Sequence, residues 1–578
     1  MHLGAIALGI LTLVPFIGAA DAPVVKVLDL KGLSTEEKAV AYALAGLLNR
    51  EQPRVFLRGG RDVRWSSLML EPEKKEHGEN WDAATKAQMT TRFGADACTE
   101  DLWLERFTAT GRFRFVQTAL PDLLRSATVL KGCILYDNLR EDCSPAATLA
   151  GLEDAVPLTA PLREQFAAAG VALPVVVDYT AIRAAFPAGT DRRLEGHRWA
   201  IATLLPRCSR TGTVSRDRTY GLDVHDTLVD IDQAVQKRWF VYDLDHTAVA
   251  NRVDGKDQDP PDRELLDAIL GHAAPFSPVF GWGRPEECHF TRSVGRNRQV
   301  VVCSGVLNNS FFAALPSTRT TWKQKHQAVM PETVVPESRI YVALMVNEGD
   351  SVKEAISLQG MGGWTQPQRG TIPINWGMDP LLCTTHPGLM DYYYDTMSEQ
   401  DYFFAAAAGW GYVHPGFMEP AMVNDYADMV RRGGALGDLR YIDVWWMGGI
   451  EQQDFLRRAG MRGLTLWDGG EQSVRYADGG APVIHGNNYY TFTQGPESFA
   501  ETLIADMKEV QAPWFVIVYG AFDHATPYRF SEMARRLPRE RFKVVLLDEF
   551  FSVAERSRAA VEKRVWKPGP NAPKGVAP

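Results

Sequence analysis

Tyr402-Phe403-Phe404-Ala405-Ala406-Ala407-Ala408-Gly409-Trp410-Gly411-Tyr412-Val413-His414-Pro415 is the stretch on which the fold turns. A run of β-formers and alanines stops abruptly at two glycines, two aromatics and a proline. That is the pattern of a buried strand reaching the surface. Glycine lets a backbone or a ligand come close, and indole and phenol rings offer flat apolar faces with a polar tip. A tight strand-to-loop turn with ordinary aromatic packing would read the same way.

The arrangement recurs on both sides of this stretch. From Lys237 onward, apolar runs fall at Trp239–Leu244, Pro278–Trp282, Val300–Cys303, Ile340–Val346, Ile372–Trp376, Phe403–Ala408, Ile442–Met447, Leu464–Trp467, Phe515–Tyr519 and Val544–Leu547. Many are followed by Gly, Asp, Asn or Trp. Helical patterns at Asp262–Leu270, Glu497–Val510 and Ser531–Leu537 separate some of them. Buried strands alternating with helices predict a parallel α/β barrel or a large doubly wound sheet. The runs outnumber the eight strands of a barrel, so some belong elsewhere.

Toward the N-terminus the units are smaller. Val24–Leu30 and Arg54–Leu57 read as strands around a helix that starts at Ser34 and runs to Leu48. Gly132–Tyr136 and Leu173–Val177 are further strand candidates. Ala146–Ala150 and Pro161–Ala169 read as helical, the second with proline at a plausible first-turn position. The expected class is therefore α/β: a C-terminal TIM-barrel-like domain preceded by one or more small α/β N-terminal domains. The expected division is a signal peptide over 1–20, an N-terminal α/β region over 21–225, a barrel-like domain over 226–560 and a disordered tail over 561–578.

The signal reading rests on the apolar core Ile6–Phe16 and the small residues that follow, with cleavage after Ala20. Eleven to fifteen apolar residues are short for a bilayer span, so no integral span is expected after cleavage, and the mature chain is expected to be secreted or periplasmic. At 578 residues the chain is too long for one core. Its 62 basic and 71 acidic residues leave a net charge of −9, which argues against general attraction to nucleic acid. The seven cysteines form no C-x-x-C pair, which leaves structural zinc poorly supported. Cys133 with Cys143, or Cys288 with Cys303, could form local disulfides; buried free thiols fit as well.

In a parallel barrel the reactive groups gather where strands end. Carboxylates near such positions are Asp243, Asp245, Glu348, Asp350, Asp379, Asp443 (inside a run), Asp468, Glu471, Asp523, Asp548 and Glu549. Of the 15 tryptophans, 11 lie from Trp239 onward, and Trp282, Trp376, Trp410 and Trp467 fall at or near expected strand ends. Two carboxylates in an aromatic-lined cleft suit glycoside hydrolysis: one protonates the leaving oxygen, the other attacks the sugar or activates water. Three other chemistries are weaker. Asp243-Leu244-Asp245-His246-Thr247 fits the D-x-D-x-T pattern of aspartyl-phosphate phosphatases but lacks a convincing later lysine and acid pair. Metal-dependent deacetylation wants paired histidines, and no two of the 12 lie three to five residues apart; His485 and His524 stand alone. No G-x-S-x-G elbow or P-loop is present.

Gly409, Gly411, Tyr412 and Pro415 match the motif that names the GxGYxYP family of putative glycoside hydrolases, with Trp410 and Val413 at free positions. His414 stands where that pattern has its second tyrosine, so a role needing that phenol does not carry over. Leu44–Pro53, Thr148–Pro157, Phe240–Leu244, Asn347–Ser351 and Pro373–Gly377 resemble other family segments, in order, from about residue 40 to residue 415. The resemblance implies a multi-part N-terminal region, a TIM-barrel-like C-terminal domain and sugar processing, with no catalytic pair to transfer. The residues expected to carry catalysis are Asp350, Glu348 and Asp468. Asn375, Trp376, Trp410, Tyr412 and His414 are expected to line the sugar subsites, with no metal or cofactor. The alternatives are a non-catalytic glycan-binding protein on the same scaffold and a metal-dependent polysaccharide deacetylase.

Overall fold

The structure is a computed structural model. It describes residues 22–59, 91, 98–216, 228, 230–246, 252–253, 256–257, 262–283, 287–326, 328–347, 349, 351–358, 363–406, 408–467, 472–476, 480–486, 489–490, 495–520 and 526–566. The expected signal segment and most of the expected tail lie outside the described residues.

The chain opens with two small parallel sheets. β1 (Val24–Asp29) lies between β2 (Val55–Arg58) and β3 (Arg114–Thr118), and β4 (Gly132–Leu135) lies between β5 (Ala155–Leu158) and β6 (Val175–Asp178). The helix Thr35–Leu48 starts where the sequence places it, because Ser34 and Glu37 close a reciprocal capping box of 3.2 and 2.7 Å.

A third sheet pairs β7 (Thr213–Ser215), β8 (Phe240–Tyr242), β11 (Pro278–Gly281) and β12 (Val300–Val302) in the order β12-β11-β7-β8, all parallel. A short ribbon, β9 (Arg252–Val253) with β10 (Lys256–Asp257), lies between β8 and β11 in the chain. The apolar runs at 240, 278 and 300 therefore join Thr213–Ser215 in a separate four-stranded unit, not the barrel. One face of this sheet (Val214, Val241, Phe280, Val302) shares a core with the helix Ile231–Lys237, and the other (Phe240, Val279, Val301) with helices Arg263–His272 and Glu287–Arg296. Helices on both faces make the unit doubly wound.

The large sheet begins at β13 (Ile340–Val346). It continues with β14 (Ile374–Met378), β15 (Asp401–Ala405), β16 (Tyr441–Val444), β17 (Gly463–Leu466), β18 (Gln472–Tyr476), β19 (Pro482–His485), β20 (Tyr489–Tyr490), β21 (Trp514–Gly520), β22 (Phe542–Val545) and β23 (Val565–Trp566). The order is β20-β21-β13-β14-β15-β16-β17-β19-β18-β23, with β22 also on β13; β18 alone runs opposite to the others, antiparallel to both β19 and β23. All seven residues of β13 are buried, as a strand covered on both faces requires. Among the described residues no strand pair joins the β18–β23 edge to β20. Over the described residues the sheet is a curled half-barrel.

The helix Leu547–Arg556 plugs the amino end of the curl. Its Leu547 amide donates to Asn375 Oδ1 at 2.8 Å, and Asp548 accepts the Tyr441 hydroxyl at 2.8 Å. Phe551 stacks on Tyr441 with ring centroids 4.6 Å apart. None of the seven cysteines is in a disulfide and six are buried, so neither expected local disulfide is formed. No described helix is long and apolar enough to cross a membrane.

Candidate active site at the carboxyl edge of the large sheet

The carboxyl edge of the large sheet lies at the end opposite the helix Leu547–Arg556. Asn347 follows β13 there, and its Nδ2 donates to Asp443 Oδ2 at 2.8 Å across the curl. The approach needs Gly377 on β14, where a Cβ would lie 2.4 Å from Asn347 Oδ1. Asp443 also accepts the Trp445 indole N–H at 3.0 Å and the Thr465 hydroxyl. It is fully buried, and burial pushes its carboxyl up to about 6, held down in part by those three donors.

Aromatic rings stand beside this carboxyl. Trp445, half-buried, stacks on Trp467 at 5.7 Å, and Trp467 meets Tyr519 edge-on at 4.3 Å. Tyr412 packs edge-on against Trp445 at 5.6 Å, and His414 lies 5.3 Å from Tyr412. His414 is buried; that burial, helped by Arg292, drops its imidazole to about 4, so it is neutral near pH 7.

The glycine-rich motif sits at the seam between this edge and the four-stranded unit. Tyr412 and Val301 exchange main-chain hydrogen bonds of 3.1 and 2.7 Å. Gly411 has φ +64°, and a Cβ there would lie 2.6 Å from the Val300 side chain. Trp410 donates its indole N–H to the Phe276 carbonyl at 3.2 Å, and the Tyr412 hydroxyl donates to Glu287. From the barrel side, Asp379 Oδ1 accepts the Gly411 and Leu381 amides at 3.0 and 2.9 Å. Asp379 is also buried, which pushes its carboxyl up to about 6.

Asp350, Glu348 and Asp468 lie outside the described residues. Asn375, Trp376 and Trp410 are core residues and not stacking surfaces. Asn375 is fully buried, its amide spent on the Leu344 carbonyl at 3.0 Å and the Leu547 amide. Trp376 is fully buried with its N–H on Asp401 at 2.9 Å. Trp410 is 4% exposed. Tyr412 and His414 pack beside Trp445 but, at 2% and 1% exposure, are equally buried. Asn347, Trp445 and Tyr519 are the members sequence reasoning missed. The usable signal was an Asp inside an apolar strand, Asp443, followed two residues later by Trp445.

Asp243 of the D-x-D-x-T stretch lies 3.0 Å from His197 Nε2 in the four-stranded unit, and Thr247 lies outside the described residues. His485 meets Gln452 at 3.0 Å, and His524 lies outside the described residues. Among the described residues no three His, Cys, Asp or Glu side chains gather as a metal would need.

The fold and site define an α/β protein with a curled parallel sheet and a carboxylate-and-aromatic site at its carboxyl edge. Residues 338–555 match the family described as GxGYxYP putative glycoside hydrolase C-terminal domain. A putative hydrolase from Bacteroides thetaiotaomicron VPI-5482, known from a crystal structure, shares the fold. Its TM-score is 0.71 at 16% identity, covering 93% of this chain and 95% of that one. A putative polysaccharide deacetylase from Mycobacterium smegmatis aligns with a TM-score of 0.26 at 10% identity over 44% of this chain and 99% of that one, too low to bear on the fold. No curated protein matches.

Proposed function

We propose that this chain hydrolyses glycosidic bonds in a glycan bound at the mouth of the half-barrel. The observation that carries the reading is Asp443, a carboxyl raised to about 6 beside the Trp445–Trp467–Tyr519 wall. A carboxyl with that value holds its proton long enough to serve as a general acid, and the half-buried Trp445 ring suits the C–H face of a sugar. The second carboxylate that the chemistry needs comes from Glu348, Asp350 or Asp468. Each follows a strand of the large sheet by no more than four residues in the chain. Export of the mature chain is part of the proposal, supported by the sequence at Ile6–Ala20; N-terminal sequencing of protein recovered from the host envelope or medium tests it.

Release of new reducing ends from a panel of purified glycans is the direct assay. Wild type should release them, and Asp443→Asn, at intact fold by circular dichroism, should lose turnover. Asp350→Asn, Glu348→Gln and Asp468→Asn then identify the partner. Wild-type turnover in D443N would remove Asp443 from the chemistry.

A second reading has its own observation: Asp443 is enclosed by three donors, as a structural carboxylate would be. A protein that only binds glycan would show saturable binding and release no reducing ends.

A further inference from the structure

The aromatic wall is held from outside the large sheet. Tyr412 is buried, and its ring faces Gly349, where a Cβ would lie 2.5 Å from the ring atoms. Its edge meets Trp445 at 5.6 Å and 71°, and Trp445 in turn donates to Asp443 at 3.0 Å. A buried phenol needs an acceptor, and the one supplied is the Glu287 carboxylate of the four-stranded unit. Glu287 is the first residue of the helix Glu287–Arg296, where a helix N-terminus favours negative charge. A charged acceptor makes a bond roughly twice as strong as a neutral one.

The same helix runs along the motif. A Cβ on Gly295 would lie 3.0 Å from the Val413 side chain, and the Arg292 guanidinium sits 4.4 Å above the Phe417 ring. The segment from Tyr412 to Phe417 is thus gripped along its length by one helix, with Glu287 at the end nearest the wall.

We propose that Glu287 is a positioning residue of the barrel's site: by accepting the Tyr412 hydroxyl it fixes the ring against which Trp445, and through Trp445 the Asp443 carboxyl, are aligned. The site is then composite, with its acid on the large sheet and its alignment supplied by a neighbouring fold unit. This rests on reading the mouth as a glycan site.

The test compares Glu287→Ala, Glu287→Gln, Tyr412→Phe and the double variant E287A/Y412F in the full chain. It uses the glycan that wild type cleaves, together with hydrogen–deuterium exchange over residues 441–447. E287A and Y412F should each raise KM by about 3–10-fold with a smaller fall in kcat, and both should speed exchange over 441–447. The double variant should be no worse than E287A alone, because the Tyr412 bond is already lost in it. E287Q, which keeps a carbonyl oxygen for the phenol, should recover most of the loss. A kcat/KM for E287A within about twofold of wild type overturns the proposal, whatever the exchange shows. If wild type cleaves no glycan, the hydrolase reading falls by itself, and exchange then decides on Glu287: unchanged exchange over 441–447 in E287A overturns its positioning role.

Discussion

Asn347 and Asp443 are hydrogen-bonded at 2.8 Å although two strands, β14 and β15, separate their strands in the sheet. Only a curled sheet can bring them together, so the bond is both a measure of the curl and a support for the site. Asn347→Ala should leave Asp443 short of one donor in a buried setting, at a cost of about 1–3 kcal/mol. Thermal melting should show a drop of several degrees, and the Asp443 carboxyl should rise further above about 6.

The raised carboxyl at Asp443 sets a direction for stability against pH. Its folded value of about 6 lies above an unfolded value of about 4, so between these the folded state holds the proton that the unfolded state has lost. The contribution is full below about pH 4 and disappears as pH rises through about 6, with a ceiling of about 3 kcal/mol. Denaturant unfolding of wild type and D443N from pH 4 to pH 7 should show wild type losing ground to the variant as pH rises. A constant difference would contradict the assignment.

Trp445 offers a half-buried ring at the mouth, unlike the fully buried Trp376. Trp445→Ala should remove about 0.5–1.5 kcal/mol of ring contact, roughly a 2–10-fold rise in KM for the cleaved glycan. Trp376→Phe should leave KM unchanged and lower the melting temperature, since it breaks the bond to Asp401 and thins the packing against Trp364, both within the core.

Gly411 has no room for a side chain and a backbone that side chains disfavour. Gly411→Ala should cost about 1–3 kcal/mol from strain and a comparable amount from the clash with Val300. Soluble yield and melting temperature should both fall.

Asn375→Ala breaks the link between β14 and the plugging helix. It should destabilise by about 1–3 kcal/mol with KM unchanged, because the amide lies at the plugged end, away from the mouth. Calorimetry and steady-state kinetics on the same preparation separate the two effects.

Strand positions were legible wherever a continuous apolar run met turn residues, and Ile340–Val346 is a strand over those seven residues. What stayed hidden is partnership. Phe240, Val279 and Val301 have the same apolar signature as the strands of the large sheet, and nothing local says that the first two belong to strands beside Thr213–Ser215 and the third to the strand beyond Val279. Asn375 looked like a site residue because a polar side chain in an apolar run usually has a purpose; its purpose is Leu547, 172 residues further on. Trp445 was missed because β16 stops at Val444, short of the expected Met447, so a residue read as mid-strand stands at the rim. The position of the motif after a strand was legible. Its bond to a second sheet was not, because Val301 lies more than 100 residues earlier in the chain.

The main-chain exchange between Tyr412 and Val301 bears on how this protein can be cut. The match to the C-terminal domain family begins at residue 338, yet four of the hydrogen bonds that hold the naming motif go to residues 276–301. A clone started at 338 would bare an amide, a carbonyl and a notch shaped for valine. The C-terminal portion is thus no portable module; whoever trims this chain should keep the four-stranded unit with it.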